Sequence, residues 1–165
     1  MAWQTLRVVL AATGLIAAPA FAAATDPIVQ KLLPMRLALA AAEATITTCA
    51  AQGAHVSVTI VDQVGDIRIQ LISDGGNFTT MDSARRKAYT AAIMGRATAD
   101  IEQQVAANPA SAPGDGNPNF FFKAGGVPIR AGTEVIGGIG VGGSGPGTDA
   151  TCAQAGLNKI QSFLQ

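Results

Sequence analysis

The chain of 165 residues carries 11 lysines and arginines against 11 aspartates and glutamates, so its formal net charge is zero. Its densest basic cluster is Arg85-Arg86-Lys87, far short of the concentrated positive face that nucleic-acid binding requires, which argues against nucleic acid as a partner. Glycine and alanine are abundant and charged residues are sparse. This composition favours close packing of subunits and therefore a homo-oligomer.

The N-terminal residues have the pattern of an export signal. A single arginine precedes an uncharged apolar run from Val8 to Phe21, and small residues that a signal peptidase recognises follow it. Cleavage is expected after Ala22 or Ala24, so residues 1–24 are predicted to be a cleaved signal peptide. Residues 25–165 then form a single domain that is periplasmic or secreted. An N-terminal membrane anchor is the alternative, although the run is short for a span of about 20 residues.

Periodicity predicts a helix and a hairpin in the first half of this domain. The segment from Asp26 to Gln52 is rich in alanine and leucine, and the regular helix is expected to start near Leu33 or Pro34 because proline disrupts a helix interior. The segment from His55 to Val61 alternates apolar and polar residues, as a half-buried strand does. A second strand begins at Ile67 after a turn, which completes a hairpin.

The rest of the domain is predicted to contain helices, a long loop and a second hairpin. Thr98 is predicted as the N-cap of a short helix, because a hydroxyl there can satisfy an N–H group of the first turn. The predicted elements are, in chain order, a helix Thr80–Met94, a helix Thr98–Ala106, a loop Asn108–Asn119, strands Gly126–Arg130 and Glu134–Val141, a glycine-rich loop Gly142–Asp149 and a helix Thr151–Leu164.

Two hairpins placed among helices indicate an antiparallel sheet flanked by helices, which is an α+β fold. If the first and last helices run antiparallel on one face of this sheet, Cys49 at the end of one meets Cys152 at the start of the other. A disulfide between them fits an exported protein. Two buried free thiols are the alternative.

His55 is the only histidine in the chain. An imidazole is suited to axial ligation of iron or to general-base catalysis, although a lone histidine on a strand is often simply packed or solvated. No Ser-His-Asp or Cys-His set can be assembled around it. The sequence therefore predicts no catalytic residues, and an enzymatic function is not favoured.

Other side chains are candidates for binding an apolar, anionic ligand. Lys87 and Arg86 lie on an alanine-rich helix and could meet carboxylate or propionate groups, or they could form a solvated, salt-bridged face. Phe78 and Phe122 could supply apolar walls. Thr98 is a further candidate contact, but its hydroxyl is a weak iron ligand and capping would explain it.

A glycine-rich segment near the C-terminus formally matches a nucleotide-binding motif. Gly138-x-Gly140-x-x-Gly143 has the spacing of the dinucleotide fingerprint, which should open a βαβ unit. Here the glycines fall in a late strand that no further strand follows. We reject the nucleotide interpretation and expect the glycines to allow a helix to pack closely on the sheet.

Five segments stand in a distinctive order and spacing. They are His55-Val-Ser-Val-Thr-Ile-Val-Asp62, Met81-Asp-Ser-Ala-Arg-Arg-Lys-Ala-Tyr-Thr-Ala91, Gly125-Gly-Val-Pro-Ile129, Val135-Ile-Gly-Gly-Ile-Gly-Val141 and Asp149-Ala-Thr-Cys-Ala-Gln-Ala-Gly156. Each is weak alone, but together they make the chain resemble the GlcG/HbpS family of haem-binding proteins over nearly all of the expected domain.

The resemblance implies a profilin-like α–β–α sandwich, assembly into oligomers, and haem or iron as the ligand. Some members of the family are exported haem binders that act with a sensor system or release iron, and others accompany glycolate oxidation. We therefore expect an exported haem-binding protein with a role in haem or iron capture, sensing or degradation, with a membrane sensor as a conceivable partner. His55 is the expected metal ligand, with Lys87 or Arg86 at the propionates.

Two alternatives stay open at this point. One is a non-enzymatic oligomeric scaffold or interaction domain, and the other is an accessory protein in the metabolism of a small acid such as glycolate. The chain also departs from exported haem-binding relatives in one loop. It has Gly143-Ser-Gly-Pro146 where they commonly have Gly-Ala-Pro, which puts ligand specificity in question if this loop borders the ligand.

Overall fold

A computed structural model describes residues 29–114 and 116–165 of the chain. The expected signal peptide, residues 1–24, lies outside the described residues. The helices and strands are, in chain order, α1 (Met35–Ala50), β1 (Ser57–Asp62), β2 (Ile67–Ile72), α2 (Thr80–Met94), α3 (Thr98–Ala107), β3 (Gly126–Ala131), β4 (Glu134–Gly142) and α4 (Pro146–Ile160). None of the helices in this described part is long and apolar enough to cross a membrane.

The strands form one antiparallel sheet with the order β2-β1-β4-β3. The two hairpins lie side by side, so β1 and β4 pair in the centre while β2 and β3 form the edges. This arrangement confirms the predicted α+β class and the predicted order of helix, hairpin, helices, hairpin and helix.

Helices α1 and α4 cover one face of the sheet. The apolar residues of β1 that alternate with polar ones, including Val58 and Ile60, point into the core beneath these helices. The two helices run antiparallel, because Gly156 of α4 packs closely against Ala41 of α1 while Cys152 is bonded to Cys49. The predicted Cys49–Cys152 disulfide is present and joins the end of α1 to the middle of α4.

Helix α2 packs on the opposite face of the sheet, directly over the glycines of β4. A Cβ atom on Gly138 would lie 3.0 Å from the backbone nitrogen of Ala92, and one on Gly142 would lie 2.9 Å from the carbonyl oxygen of Thr80. Gly140 faces the backbone of the same helix between them. These glycines therefore serve close packing of a helix on the sheet, which confirms the rejection of the nucleotide motif.

The start of one helix and the cap of another differ from the prediction. Helix α4 begins at Pro146 and not at Thr151, because a proline at the first helical position is preorganised for the helix and loses no needed N–H bond. Helix α3 does begin at Thr98, but Ala97 occupies the N-cap position and makes no side-chain capping bond. The hydroxyl of Thr98 bonds to β3 instead, so the predicted capping role of Thr98 is wrong.

Candidate functional site

His55 lies just before β1, on the surface of the molecule. Its Nδ1 atom is 2.7 Å from the carbonyl oxygen of Asp74. A carbonyl oxygen can only accept a hydrogen bond, so Nδ1 carries the proton in the neutral imidazole. The lone pair is then on Nε2, and this is the arrangement in which a histidine is held to bind a metal through Nε2.

A short turn fixes this imidazole. Ser73 binds Val56, the residue after His55, twice: its Oγ accepts from the Val56 N–H at 2.8 Å, and its own N–H donates to the Val56 carbonyl at 2.9 Å. Gly75 has φ of +74°, and a Cβ atom there would lie 3.1 Å from Nδ1 of His55. The turn needs glycine for its backbone conformation and for room beside the ring.

Apolar side chains are exposed in the segments on either side of this turn. Ile72 is 39% exposed at the end of β2, and Phe78 is 76% exposed before α2. An exposed phenylalanine is unusual because burial of such a ring stabilises a protein by about 1.5–3 kcal/mol. The structure thus places near one end of the sheet exposed apolar side chains and a histidine whose Nε2 has no partner among residues 29–114 and 116–165.

Lys87 does not lie on the surface. Its ammonium group is buried, 2.7 Å from Oδ2 of Asp149 and 2.9 Å from the carbonyl oxygen of Val141. The other oxygen of Asp149 accepts bonds from the backbone N–H and the hydroxyl of Ser144. Lys87 therefore links α2 to the start of α4, and it is not free to meet a propionate in this structure.

Thr98 is also fully buried and has its partner inside the chain. Its Oγ1 accepts a hydrogen bond of 2.8 Å from the N–H of Gly126, which ties α3 to the start of β3. A ligand atom has no access to this hydroxyl in the folded chain.

Arg86 and Phe122 come together in a second group, around the three consecutive phenylalanines. Arg86 donates from Nη2 to the carbonyl oxygen of Phe120 at 2.7 Å, and its guanidinium lies 5.0 Å from the ring centre of Phe121. Phe122 stacks on Phe120, with 6.0 Å between ring centres. The Nε atom of Arg86 has no hydrogen-bond partner in the described part of the chain.

Sequence reasoning missed the partners that give these groups their roles. Asp74 and Ser73 were part of an ordinary loop in the sequence, and only the pairing of β1 with β2 brings them to His55. Asp149 lies 62 residues from Lys87. The only available signal was chemical: a lysine among alanines on a buried helix face requires a carboxylate partner.

Glu102 is another carboxylate that sequence reasoning passed over. It accepts bonds from the backbone N–H of Ala124 at 2.8 Å and from Nζ of Lys123 at 3.0 Å. Partial burial acts to raise the pKa of Glu102, but the Ala124 bond together with the charges of Lys123 and Lys87 outweighs it and lowers the pKa. Glu102 stays ionised and fixes the segment before β3.

The donor set fits a porphyrin-bound iron better than a free metal ion. Within residues 29–114 and 116–165, no three histidine, cysteine, aspartate or glutamate side chains group in a way that could hold a metal ion. A haem iron already has four nitrogen ligands from its porphyrin and needs only an axial ligand from the protein. A single imidazole meets that requirement, and His55 can supply it.

The fold and the site define a class of proteins with a four-stranded antiparallel sheet between helices. The family model described as "Haem degrading protein HbpS-like" matches residues 33–158. A double mutant of HbpS from Streptomyces reticuli is 33% identical, with 86% of this chain and 96% of that chain covered and a TM-score of 0.75. The chain therefore belongs to the HbpS-like family, whose description concerns haem degradation.

More distant structures share the fold. The Klebsiella pneumoniae protein ORFY is 22% identical, covers 85% of this chain and 99% of its own, and has a TM-score of 0.75. A PduOC:Heme complex is also 22% identical, covers 79% of this chain and 96% of its own, and has a TM-score of 0.72. No curated protein matches the chain.

Proposed function

We propose that this protein is an exported haem-binding protein in which Nε2 of His55 coordinates the haem iron. The observation that carries the proposal is the bond from Nδ1–H of the exposed His55 to the Asp74 carbonyl, which places the lone pair of the neutral ring on Nε2. The family description and the haem in the PduOC complex support haem as the ligand. Bound haem would supply a redox-active iron, and the protein would supply its axial ligand and the apolar surroundings.

The exposed apolar side chains beside the histidine suit a porphyrin. Phe78 can pack against the flat macrocycle, and this contact would bury a ring that is 76% exposed in the isolated chain. A haem held on one face by a surface histidine still exposes its other face to water. We therefore place the haem between copies of the chain in a homo-oligomer, where a second copy covers the open face.

As a secondary proposal, Arg86 and Phe122 would contact the propionate end of the haem. The Arg86 side chain is 28% exposed and its Nη1 lies 3.9 Å from Oδ2 of Asp82, while its buried Nε lacks a partner in the described part of the chain. Lys87 and Thr98 have internal partners, so we assign them structural roles.

The buried disulfide supports the export proposal. Disulfides of this kind form and persist in secreted or periplasmic proteins, where the environment is oxidising. An exported haem binder is placed to capture haem or iron outside the cytoplasm, or to present it to a membrane sensor.

Haemin titration with an absorbance readout tests the proposal. The purified protein should give a saturable Soret shift, and His55→Ala should weaken haemin binding by about 100-fold or more, because loss of the ligand exceeds the 10- to 100-fold effects of outer-shell changes. Asn158→Ala, an exposed polar change on α4, is the control and should leave the titration unchanged. An unaltered shift in His55→Ala would contradict the axial assignment.

An oligomeric scaffold without a ligand is the second candidate. Leu32 and Phe163 are 60% and 69% exposed and line one 250 Å³ pocket, and Met35 and Leu39 extend the apolar surface along α1. Such a surface fits a subunit contact. Sedimentation analysis separates the candidates: a scaffold assembles without haemin and shows no change in thermal stability when haemin is added.

A further inference from the structure

A groove of about 580 Å³ lies away from the His55 site and shares no residue with it. It follows the outer edge of β3, between the junction of α2 with α3 and the C-terminal half of α4. This size lies within the range of about 300–1,000 Å³ that small-molecule sites occupy.

The floor of the groove is apolar, with Val127, Pro128, Leu157 and Leu164 among its lining residues. Pro128 also makes this sheet edge unsuitable for an added strand. Proline has no N–H to donate, and in a paired edge strand its nitrogen faces away from the neighbouring strand. An extended peptide would therefore lack a donor in the middle of the edge. The groove suits a small molecule better than a β-strand.

Two arginines line the groove, and neither forms an ion pair within the described residues. Arg130 is held rigidly, with Nη2 2.7 Å from the carbonyl oxygen of Gly95 and Nη1 2.8 Å from that of Thr133. Arg96 donates to the side chain of Gln104. Across residues 29–114 and 116–165 neither arginine forms an ion pair, whereas Arg85 and the other cations of α2 do.

Gly95 is part of this arrangement. Its φ of +60° ends α2 and turns its carbonyl toward Arg130, and a Cβ atom at this position would lie 2.9 Å from Nη2. The guanidinium is thus fixed before any ligand arrives, which reduces the entropy lost on binding. Asp100 and the C-terminal residue Gln165 also line the groove, so the two arginines are the only basic side chains among the described lining residues.

We propose that this groove binds a small organic acid with an apolar body. Its carboxylate would pair with Arg130 and Arg96, and its apolar part would lie over Val127 and Leu157. Guanidinium groups recognise carboxylates through paired N–H donors, and both arginines retain unused N–H groups.

Isothermal titration calorimetry of the purified protein with octanoate and with octylamine tests this proposal. The two probes share an apolar chain and carry opposite charges. Octanoate is expected to bind saturably at one site per chain, and octylamine is expected not to bind. Absence of octanoate binding, or equal binding of octylamine, would overturn the proposal.

Matched variants locate the binding site. Arg96→Gln and Arg130→Gln should each weaken octanoate binding about tenfold or more, the effect of losing a hydrogen bond to a charged group. Arg96 is exposed and bonds only to a side chain, so its variant should keep the fold even if loss of Arg130 disturbs the turn at Thr133. Arg36→Gln, an exposed arginine on α1 with no ion pair in the described part, is the control. Unchanged affinity in Arg96→Gln would overturn the assignment.

Competition with haemin separates this inference from the proposed function. Octanoate should bind with the same affinity after the protein is loaded with haemin, because the groove and the His55 site have no residue in common. Loss of octanoate binding on loading would assign the groove to haem and overturn a separate acid site. A failure of haem binding would leave the octanoate result intact.

Discussion

Lys87 in the middle of α2 and His55 just before β1 are both basic side chains, but they have opposite environments. Lys87 is buried and bonded to Asp149 and to the Val141 carbonyl, so its donors are used within the chain. His55 is exposed and uses one ring nitrogen internally, and its other ring nitrogen has no partner in the part of the chain that the structure describes. The difference teaches that a group with internal partners maintains the fold, whereas a group that is fixed on one side and free on the other can bind a ligand.

The largest loss of stability is expected from breaking the buried pair of Lys87 and Asp149. Asp149→Asn should lower the free energy of unfolding by about 3–5 kcal/mol, because it leaves the buried ammonium of Lys87 without a counter-charge. Urea unfolding measures this loss. The double variant Lys87→Met with Asp149→Leu should recover most of it, because no buried charge then remains.

The double variant also tests whether Lys87 has only a structural role. Its haemin affinity should equal that of the wild-type protein. A folded double variant that binds haemin markedly more weakly would restore Lys87 as a ligand contact and remove the distinction from His55.

The Cys49–Cys152 disulfide is buried, like the Lys87–Asp149 pair, and has a structural role. Replacing both Cys49 and Cys152 by alanine should lower the free energy of unfolding by about 2–5 kcal/mol, because the bond constrains the unfolded chain. Urea unfolding with and without dithiothreitol provides the control. Reductant should destabilise the wild-type protein and leave the variant unchanged. Equal stability of the wild-type protein and the variant in the absence of reductant would contradict this role.

Two glycines test whether the turn beside His55 positions its imidazole. Gly75 and Gly53 have similar backbone conformations, with φ of +74° and +71°, but only Gly75 touches the His55 ring. Alanine at either position should cost about 1 kcal/mol of stability from backbone strain. Gly75→Ala should in addition weaken haemin binding about tenfold, as changes around a metal ligand do. Equal haemin affinity in both variants would show that the turn does not position the imidazole.

The smallest loss of stability is expected at Glu102, whose carboxylate has internal partners, as Lys87 does, but is partly exposed. Its pKa is lowered from 4.5, so its contribution to stability is present above that pH and is lost as the pH falls through the lowered pKa. Glu102→Gln should cost about 0.5 kcal/mol at pH 7, because the Lys123 pair is partly exposed. At strongly acid pH the variant and the wild-type protein should have equal stability. Glu43→Gln, on the exposed face of α1, is the control in the same urea unfolding series.

Local patterns allowed most of the fold to be predicted. Alternation identified β1, helical spacing identified α2 with its observed bounds, and the glycines of β4 were expected to lie beneath a helix. The disulfide followed from the order of elements, because antiparallel end helices bring Cys49 and Cys152 together. These properties depend on residues near one another in sequence or on simple topology.

The candidate site was less predictable because its contacts are distant in sequence. The partner of Lys87 is 62 residues away and that of Thr98 is 28 residues away, so neither internal bond was visible. The sequence identified His55 by its residue type and did not show which of its ring nitrogens is protonated. The carbonyl that selects its protonated nitrogen is a backbone atom, and backbone acceptors leave no mark in the sequence.

The central claim is that Nε2 of His55 binds the haem iron, and chemical rescue tests it most directly. His55→Gly removes the ring and leaves space for free imidazole. Haemin bound to this variant should lack the wild-type Soret and visible bands, and added imidazole should restore them. Pyrrole, a ring of the same size without a coordinating lone pair, should not restore them. A His55→Gly complex with the wild-type spectrum before imidazole is added would contradict the account.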